Sequence, residues 1–233
     1  MSLRIAFDLD GVLADMDREI TRQAEILFSQ DTPPGTSEDE GGSVDDQDGP
    51  APARLSLTVR QHHHLWRRVR SIENFWETLE EIEEGAIKRV AELARSRRWE
   101  VIFLTSRPKT AGDTTQTQTQ RWLQAKGFRI PSVYVVKGSR GLIAAALDLY
   151  VVVDDRMENC MDVLSDSKAK AILLWRDESQ QLPTAARRLG IGVAASVSEC
   201  LATLTQLESG MADPPNRLDR VKRLLGLKEP ALD

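Results

Sequence analysis

Residues 7–15, FDLDGVLAD, set Asp8, Asp10 and Asp15 directly behind the short apolar run Leu3 to Phe7. Carboxylates this close repel one another, and the arrangement is costly unless a cation or a reacting group lies between them. Three further stretches have the same form, an apolar run followed by polar groups. WEVIFLTS at 99–106 ends in Thr105 and Ser106, SVYVVKG at 132–138 leads to a base, Lys137 or Arg140, and LYVVVDD at 149–155 ends in Asp154 and Asp155. As strands of one parallel sheet, these runs would bring all four polar ends to the same edge. Three or four carboxylates gathered there call for a hard cation, and oxygen-only ligation with bound water points to Mg2+ rather than zinc. A hydroxyl and a backbone amide at the next strand end, opposite a fixed positive charge, make a receptor for phosphate oxygens.

The elements that must position these groups are legible in the same runs. Together with KAILLW at 170–175 they are continuous β-branched or aliphatic stretches, as strands covered on both faces are. Helical patterns separate them at 85–98, 119–127, 140–148 and 159–166. Strand alternating with helix predicts an α/β fold, a parallel sheet flanked by crossover helices. The interval between the first two strands is far longer than a crossover needs. It holds helical patterns at 14–28 and 57–82, which read as a small helical cap inserted after the first strand, above the sheet edge where open α/β folds bind ligands. The expected division is a core of residues 1–14 and 85–207, a cap of 15–84, and a tail of 208–233 with a short amphipathic helix over 216–225. TTQTQTQ at 114–120 reads as polar punctuation before a helix and receives little functional weight.

Composition bounds the partners. The net charge of −5 is uneven, because residues 30–53 hold seven acids and no base, and removing those seven negative charges leaves +2. A segment rich in Pro, Gly, Ser and Asp with almost nothing apolar cannot offset its ordering entropy and is expected to be a disordered acidic loop. The remaining charge gives no reason to expect a nucleic-acid polymer or a membrane as partner. The sequence contains no apolar run of about 18 residues and no secretory leader pattern, so the expected location is the cytoplasm. Cys160 and Cys200 read as buried small apolar residues. His62, His63 and His64 are consecutive, point different ways on a helix, and do not read as a metal site. Trp66, Phe75 and Trp76 read as packing between cap and core in preference to a stacking surface.

The order DLDGV at 8–12, a strand ending in Thr105, a basic residue, then VVVDD at 151–155 resembles the haloacid dehalogenase superfamily over residues 3 to about 175. The resemblance implies a Rossmann-like parallel sheet and a helical cap of the type inserted after the first motif. It implies Asp8 as the nucleophile that forms an aspartyl-phosphate, and Asp10 as the group that protonates the leaving alcohol and then activates water. It implies Mg2+ held by Asp8, the carbonyl of Asp10 and a carboxylate of the DD pair, Asp155 in preference to Asp154. Thr105 would grip the phosphoryl group, and Gly11 would let the chain turn sharply beside the substrate.

The family's lysine has two candidates, Lys137 at the strand end and Arg140 at the expected spacing, and both stay open. Arg107, after Ser106, is a candidate substrate contact. Asn159 resembles a residue that orients the metal ligand, or else is a helix N-cap; Asp15 faces the cap or sits in a first helical turn. The reaction implied is hydrolysis of a small phosphorylated metabolite, and the DLDGVLAD start is similar to the deoxyribonucleotidase branch, which suggests a nucleoside monophosphate. Asp10 argues against dehalogenase chemistry, which needs no acid for a leaving oxygen. A phosphomutase, or a binding module that keeps the fold without turnover, stands as the alternative.

Overall fold

The computed structural model describes residues 2–29, 56–176 and 184–212. Along the chain run β1 (Arg4–Asp8), α1 (Met16–Phe28), α2 (Val59–Ser71), a 3-10 turn (Phe75–Glu77), α3 (Ala86–Arg97), β2 (Glu100–Thr105) and α4 (Thr115–Ala125). There follow β3 (Ser132–Val135), α5 (Arg140–Ala146), β4 (Val151–Asp154), α6 (Met157–Asp166), β5 (Lys170–Leu174), α7 (Thr184–Leu189), β6 (Gly192–Ala194) and α8 (Val197–Ala212). The strands form one parallel sheet in the order β3-β2-β1-β4-β5-β6. The expected α/β architecture with a parallel sheet and flanking helices is therefore the observed one. Chain order reverses on either side of β1, so the edge beyond β1 and β4 is a topological switch point, where such sheets open a ligand crevice.

The aliphatic runs become strands because both of their faces are covered. VVVD of β4 is buried at every position, and Ile5, Phe7, Phe103, Val151 and Val153 join one apolar cluster, while Ala6, Leu104, Val152 and Leu173 join another on the opposite face. The register places Phe7 beside Phe103 and Val153, and Asp8 beside Leu104. Strand β1 thus lifts Asp8 to the sheet edge while its apolar residues anchor both layers.

The stretch between β1 and β2 is bound to the same core. Helix α1 is capped by Asp15, whose carboxylate accepts from Arg18 N at 3.1 Å, and α2 by Thr58 and Gln61 in a reciprocal capping box. Its two ends are stitched together: Asp15 N donates to Glu80 O and Ile82 N donates to Leu13 O, both at 2.9 Å. Leu65, Trp66, Val69, Phe75 and Trp76 share a cluster with β1. The three aromatic residues are fully buried, so they pack and offer no stacking face.

Several expectations are corrected. TTQTQTQ is mostly the first two turns of α4, with Thr114 as its N-cap. Gln118 and Thr119 are buried and hydrogen-bonded, which packing rewards although their types give no apolar stripe. A sixth strand, β6, and helix α8 follow β5, and α8 continues to Ala212 past the expected core boundary at 207. The acidic segment 30–53 and the helix expected over 216–225 lie outside the described residues. Among the described residues no helix is long and apolar enough to cross a membrane.

Candidate functional site

The switch-point edge collects most of the residues singled out by the sequence. Asp8 ends β1, Thr105 ends β2, Asp154 ends β4 and Asp155 follows it. Arg140 opens α5 behind its N-cap, Ser139, whose hydroxyl accepts from Leu142 N at 3.0 Å.

Arg140 and Lys137 separate cleanly. The Arg140 guanidinium is buried, with Nη2 donating to Asp8 Oδ1 at 2.7 Å and Nε 3.8 Å from Asp154 Oδ2. Lys137 is exposed. A first-turn residue points back toward the preceding strand end, so the longer spacing suits an arginine where a strand-end lysine faces solvent. Arg140 Nη1, on the same guanidinium that donates to Asp8 through Nη2, is buried with no protein partner.

The two aspartates of the DD pair differ as sharply. Asp154 is fully buried and saturated: Arg156 N donates to Oδ1 at 2.9 Å and Asn159 Nδ2 donates to both oxygens at 3.0 Å. Asn159 lies inside the first turn of α6, whose N-cap is Arg156, so it serves as a brace for Asp154 and not as a cap. Asp155 by contrast keeps a buried Oδ1 without a partner. Burial, then repulsion from Asp154, pushes its carboxyl up to about 7. Asp8 is also raised well above its ordinary value, by burial first and Asp154 second, against the pull of Arg140.

Among the described residues no three His, Cys, Asp or Glu side chains already surround a common point. The residues that could hold Mg2+ are Asp8 and Asp155 through their carboxylates and Asp10 through its carbonyl, an all-oxygen set of the kind Mg2+ takes. An orphaned carboxylate oxygen and two raised carboxyl groups are what a cation at this edge would relieve.

Gly11 is required twice over. Its φ is +85°, and a Cβ there would collide with the Asp155 carboxyl. Gly11→Ala therefore carries about 1–2 kcal/mol of backbone strain and displaces Asp155 as well. A lowered melting temperature and at least a tenfold loss of any turnover are expected, roughly the effect of one misplaced group; an unchanged melt and rate would show that the turn tolerates a side chain.

Other placements depart from expectation. Thr105 is fully buried; its Oγ1 donates to Asp10 Oδ2 at 3.3 Å and accepts from Arg107 N at 3.2 Å. Ser106 is exposed. Arg107, expected as a substrate contact, turns inward and grips Asp10, with Nη2 2.7 Å from Oδ1. Sequence reasoning missed Arg176, one residue after Trp175 at the end of β5. Its Nη1 and Nη2 donate to the carbonyls of Gly11 and Val12 at 2.6 and 2.9 Å, and Nη2 donates to Glu83 at 2.7 Å. The strand-end logic that found Thr105 applied equally there; a tightly turned loop bearing Asp10 needs its carbonyls satisfied.

No family model and no curated protein sequence matches the chain. Solved structures do. A haloacid dehalogenase-like family hydrolase from Xanthomonas campestris aligns at a TM-score of 0.53 and 14% identity, covering 89% of this chain and 96% of its own. A HAD family hydrolase from Deinococcus radiodurans, solved with bound phosphate and sodium, gives 0.53 and 16%, covering 88% and 96%. A phosphonoacetaldehyde hydrolase-like protein from Oleispira antarctica gives 0.51 and 12%, covering 92% and 95%. At such identities the likeness is one of fold: the chain has the fold of the haloacid dehalogenase-like hydrolases.

Proposed function

We propose that the chain is a Mg2+-dependent phosphomonoester hydrolase that works through an aspartyl-phosphate on Asp8. The observation that carries this is the meeting of Asp8, Asp10, Thr105, Arg140 and Asp155 at one sheet edge, with an unpartnered Arg140 donor beside the nucleophile. The Deinococcus neighbour of the same fold was solved with bound phosphate, which is in keeping with a phosphate-containing ligand.

An Asp8 oxygen attacks phosphorus, the bond to the leaving oxygen breaks, and Asp10 gives that oxygen its proton. Asp10, now a carboxylate, takes a proton from water as the water oxygen attacks phosphorus. The bond to Asp8 breaks, inorganic phosphate leaves, and both aspartates return to their starting states. Arg140 steadies the phosphoryl oxygens through Nη1, while the buried Thr105 hydroxyl donates to Asp10 Oδ2 and helps hold that carboxyl. Mg2+, when bound by Asp8, Asp155 and the Asp10 carbonyl, supplies charge neutralisation for the phosphoryl oxygens and the crowded carboxylates. Asp154 and Asn159 act behind it, fixing the β4 end.

For the substrate we propose a nucleoside monophosphate, on the similarity of DLDGVLAD to the deoxyribonucleotidase branch, with residues 15–84 acting as a cap over the edge. Because Trp66, Phe75 and Trp76 are buried, base recognition falls to other side chains. The test is phosphate release from p-nitrophenyl phosphate and from panels of nucleotides and sugar phosphates, with Mg2+ and with chelator. Release that needs Mg2+ and is fastest on nucleotides is expected. Preference for sugar phosphates overturns the substrate class, and retention of phosphorylated ligands without release overturns the hydrolase.

A further inference from the structure

Arg107 has the chemistry of a phosphate-binding residue and the placement of something else. Its side chain is fully shielded from solvent. Nε donates to both oxygens of Asp10 at 3.0 and 2.9 Å, Nη2 donates to Oδ1 at 2.7 Å, and Nη1 donates to Thr119 Oγ1 at 3.2 Å. The guanidinium carbon lies 4.9 Å from the centre of the Trp76 ring and 5.5 Å from that of Trp122. Both rings are fixed in turn. Trp76 Nε1 donates to Pro108 O at 3.0 Å, and Trp122 Nε1 donates to Leu79 O at 2.7 Å.

A planar cation held between two pinned rings has no path to solvent, so it has no donor to turn toward a substrate phosphate. What it can do is fix the plane of the carboxyl it grips. A carboxylate offers about four lone-pair positions. Nε and Nη2 make three contacts on that carboxyl, two on Oδ1 and one on Oδ2, and the Thr105 hydroxyl makes a further one on Oδ2. Acid–base catalysis depends on such placement, because the proton moves only across a short, aligned contact.

We propose that Arg107, braced by Thr119, Trp76 and Trp122, is the positioning residue of Asp10 and takes no part in substrate binding. The inference rests on the phosphomonoesterase reading above and deepens it. It gives one of the two buried threonines of TTQTQTQ a role: Thr119 accepts from Nη1, the guanidinium nitrogen that does not contact Asp10.

Leaving-group dependence separates this role from a structural one, since a nitrophenolate departs without a proton and an alkoxide does not. The comparison is p-nitrophenyl phosphate against glycerol 2-phosphate for wild type, Arg107→Lys and Thr119→Val. Arg107→Lys keeps the charge and loses the fork. Its kcat on glycerol 2-phosphate is expected to fall about 100-fold and on p-nitrophenyl phosphate less than about 5-fold, with KM nearly unchanged for both. Thr119→Val loses only the brace, and a loss of about 5-fold confined to the alkyl ester is expected; this variant carries the test if Arg107→Lys does not fold.

Equal losses on the two esters, or a raised KM at constant kcat, overturn the proposal. A readout independent of turnover accompanies it: the Arg107 Nε–H in 15N NMR. A proton protected from exchange in wild type and released in Asp10→Ala supports the clamp, and rapid exchange in wild type overturns it. A wild type that hydrolyses neither ester yet shows the protected proton refutes the phosphatase reading and leaves the Arg107–Asp10 clamp standing.

Discussion

Asp8→Asn is expected to abolish phosphate release, with kcat lowered by at least about 10³-fold, equivalent to about 4 kcal/mol of transition-state stabilisation, while the protein remains folded. The amide cannot attack phosphorus, but it has nearly the same volume, and its oxygen can still accept from Arg140 Nη2 in the place of Oδ1. Strand β1 is secured by backbone pairing to β2 and β4 and by Ile5 and Phe7, none of which depends on the Asp8 charge. Removing that charge also removes repulsion against Asp154, one of the causes that raises Asp8. A melting temperature within a few degrees of wild type, measured beside phosphate release in Mg2+, is therefore expected. Residual turnover near the wild-type rate would discard the covalent mechanism, and a collapsed fold would mean that the Asp8–Arg140 ion pair holds the edge together.

The parts of this site that were legible from sequence are those set by backbone direction. An apolar strand that ends in a polar residue delivers that residue to the sheet edge whatever its rotamer, which is why Asp8, Thr105, Asp154 and Asp155 were found together. Side-chain direction after the strand end is set by tertiary partners, and there the reading failed. Arg107 was expected to face substrate, yet it packs inward against Trp76 and Trp122; one of those rings lies between β1 and β2 in the chain and the other on α4. Arg140 and Lys137 could not be separated until α5 was seen to begin at Arg140. β6 escaped because three residues containing a glycine leave too short an apolar run to register. Gln118 and Thr119 escaped because their value lies in the hydrogen bonds they accept, Gln118 from Trp76 N and Thr119 from Arg107 Nη1, donors distant in sequence.

Asp155→Asn is expected to separate stability from function in opposite directions. The Asp155 carboxyl titrates at about 7 in the folded protein against 3.8 in an unfolded chain, so between those values the folded state holds a proton that the unfolded state has released. Metal-free stability is then greatest below about pH 4 and declines as pH rises through 7, by a total on the order of 4 kcal/mol at most. Asp8, raised for the same reasons, adds to the decline. Melts in chelator should fall by up to about 10 °C between pH 5 and pH 8, and Mg2+ should restore much of the loss at pH 8 by binding only the folded, ionised site. Asp155→Asn carries no charge to desolvate. Its metal-free melt at pH 8 should rise above wild type and its pH slope should flatten, while added Mg2+ no longer raises the melting temperature and phosphate release is lost. The Gly11 turn should survive, because the amide occupies the space that a Cβ at Gly11 would invade. A wild-type melt that is flat with pH in chelator would show that Asp155 ionises without cost, and the uncompensated oxygen at this edge would then have no need of a cation.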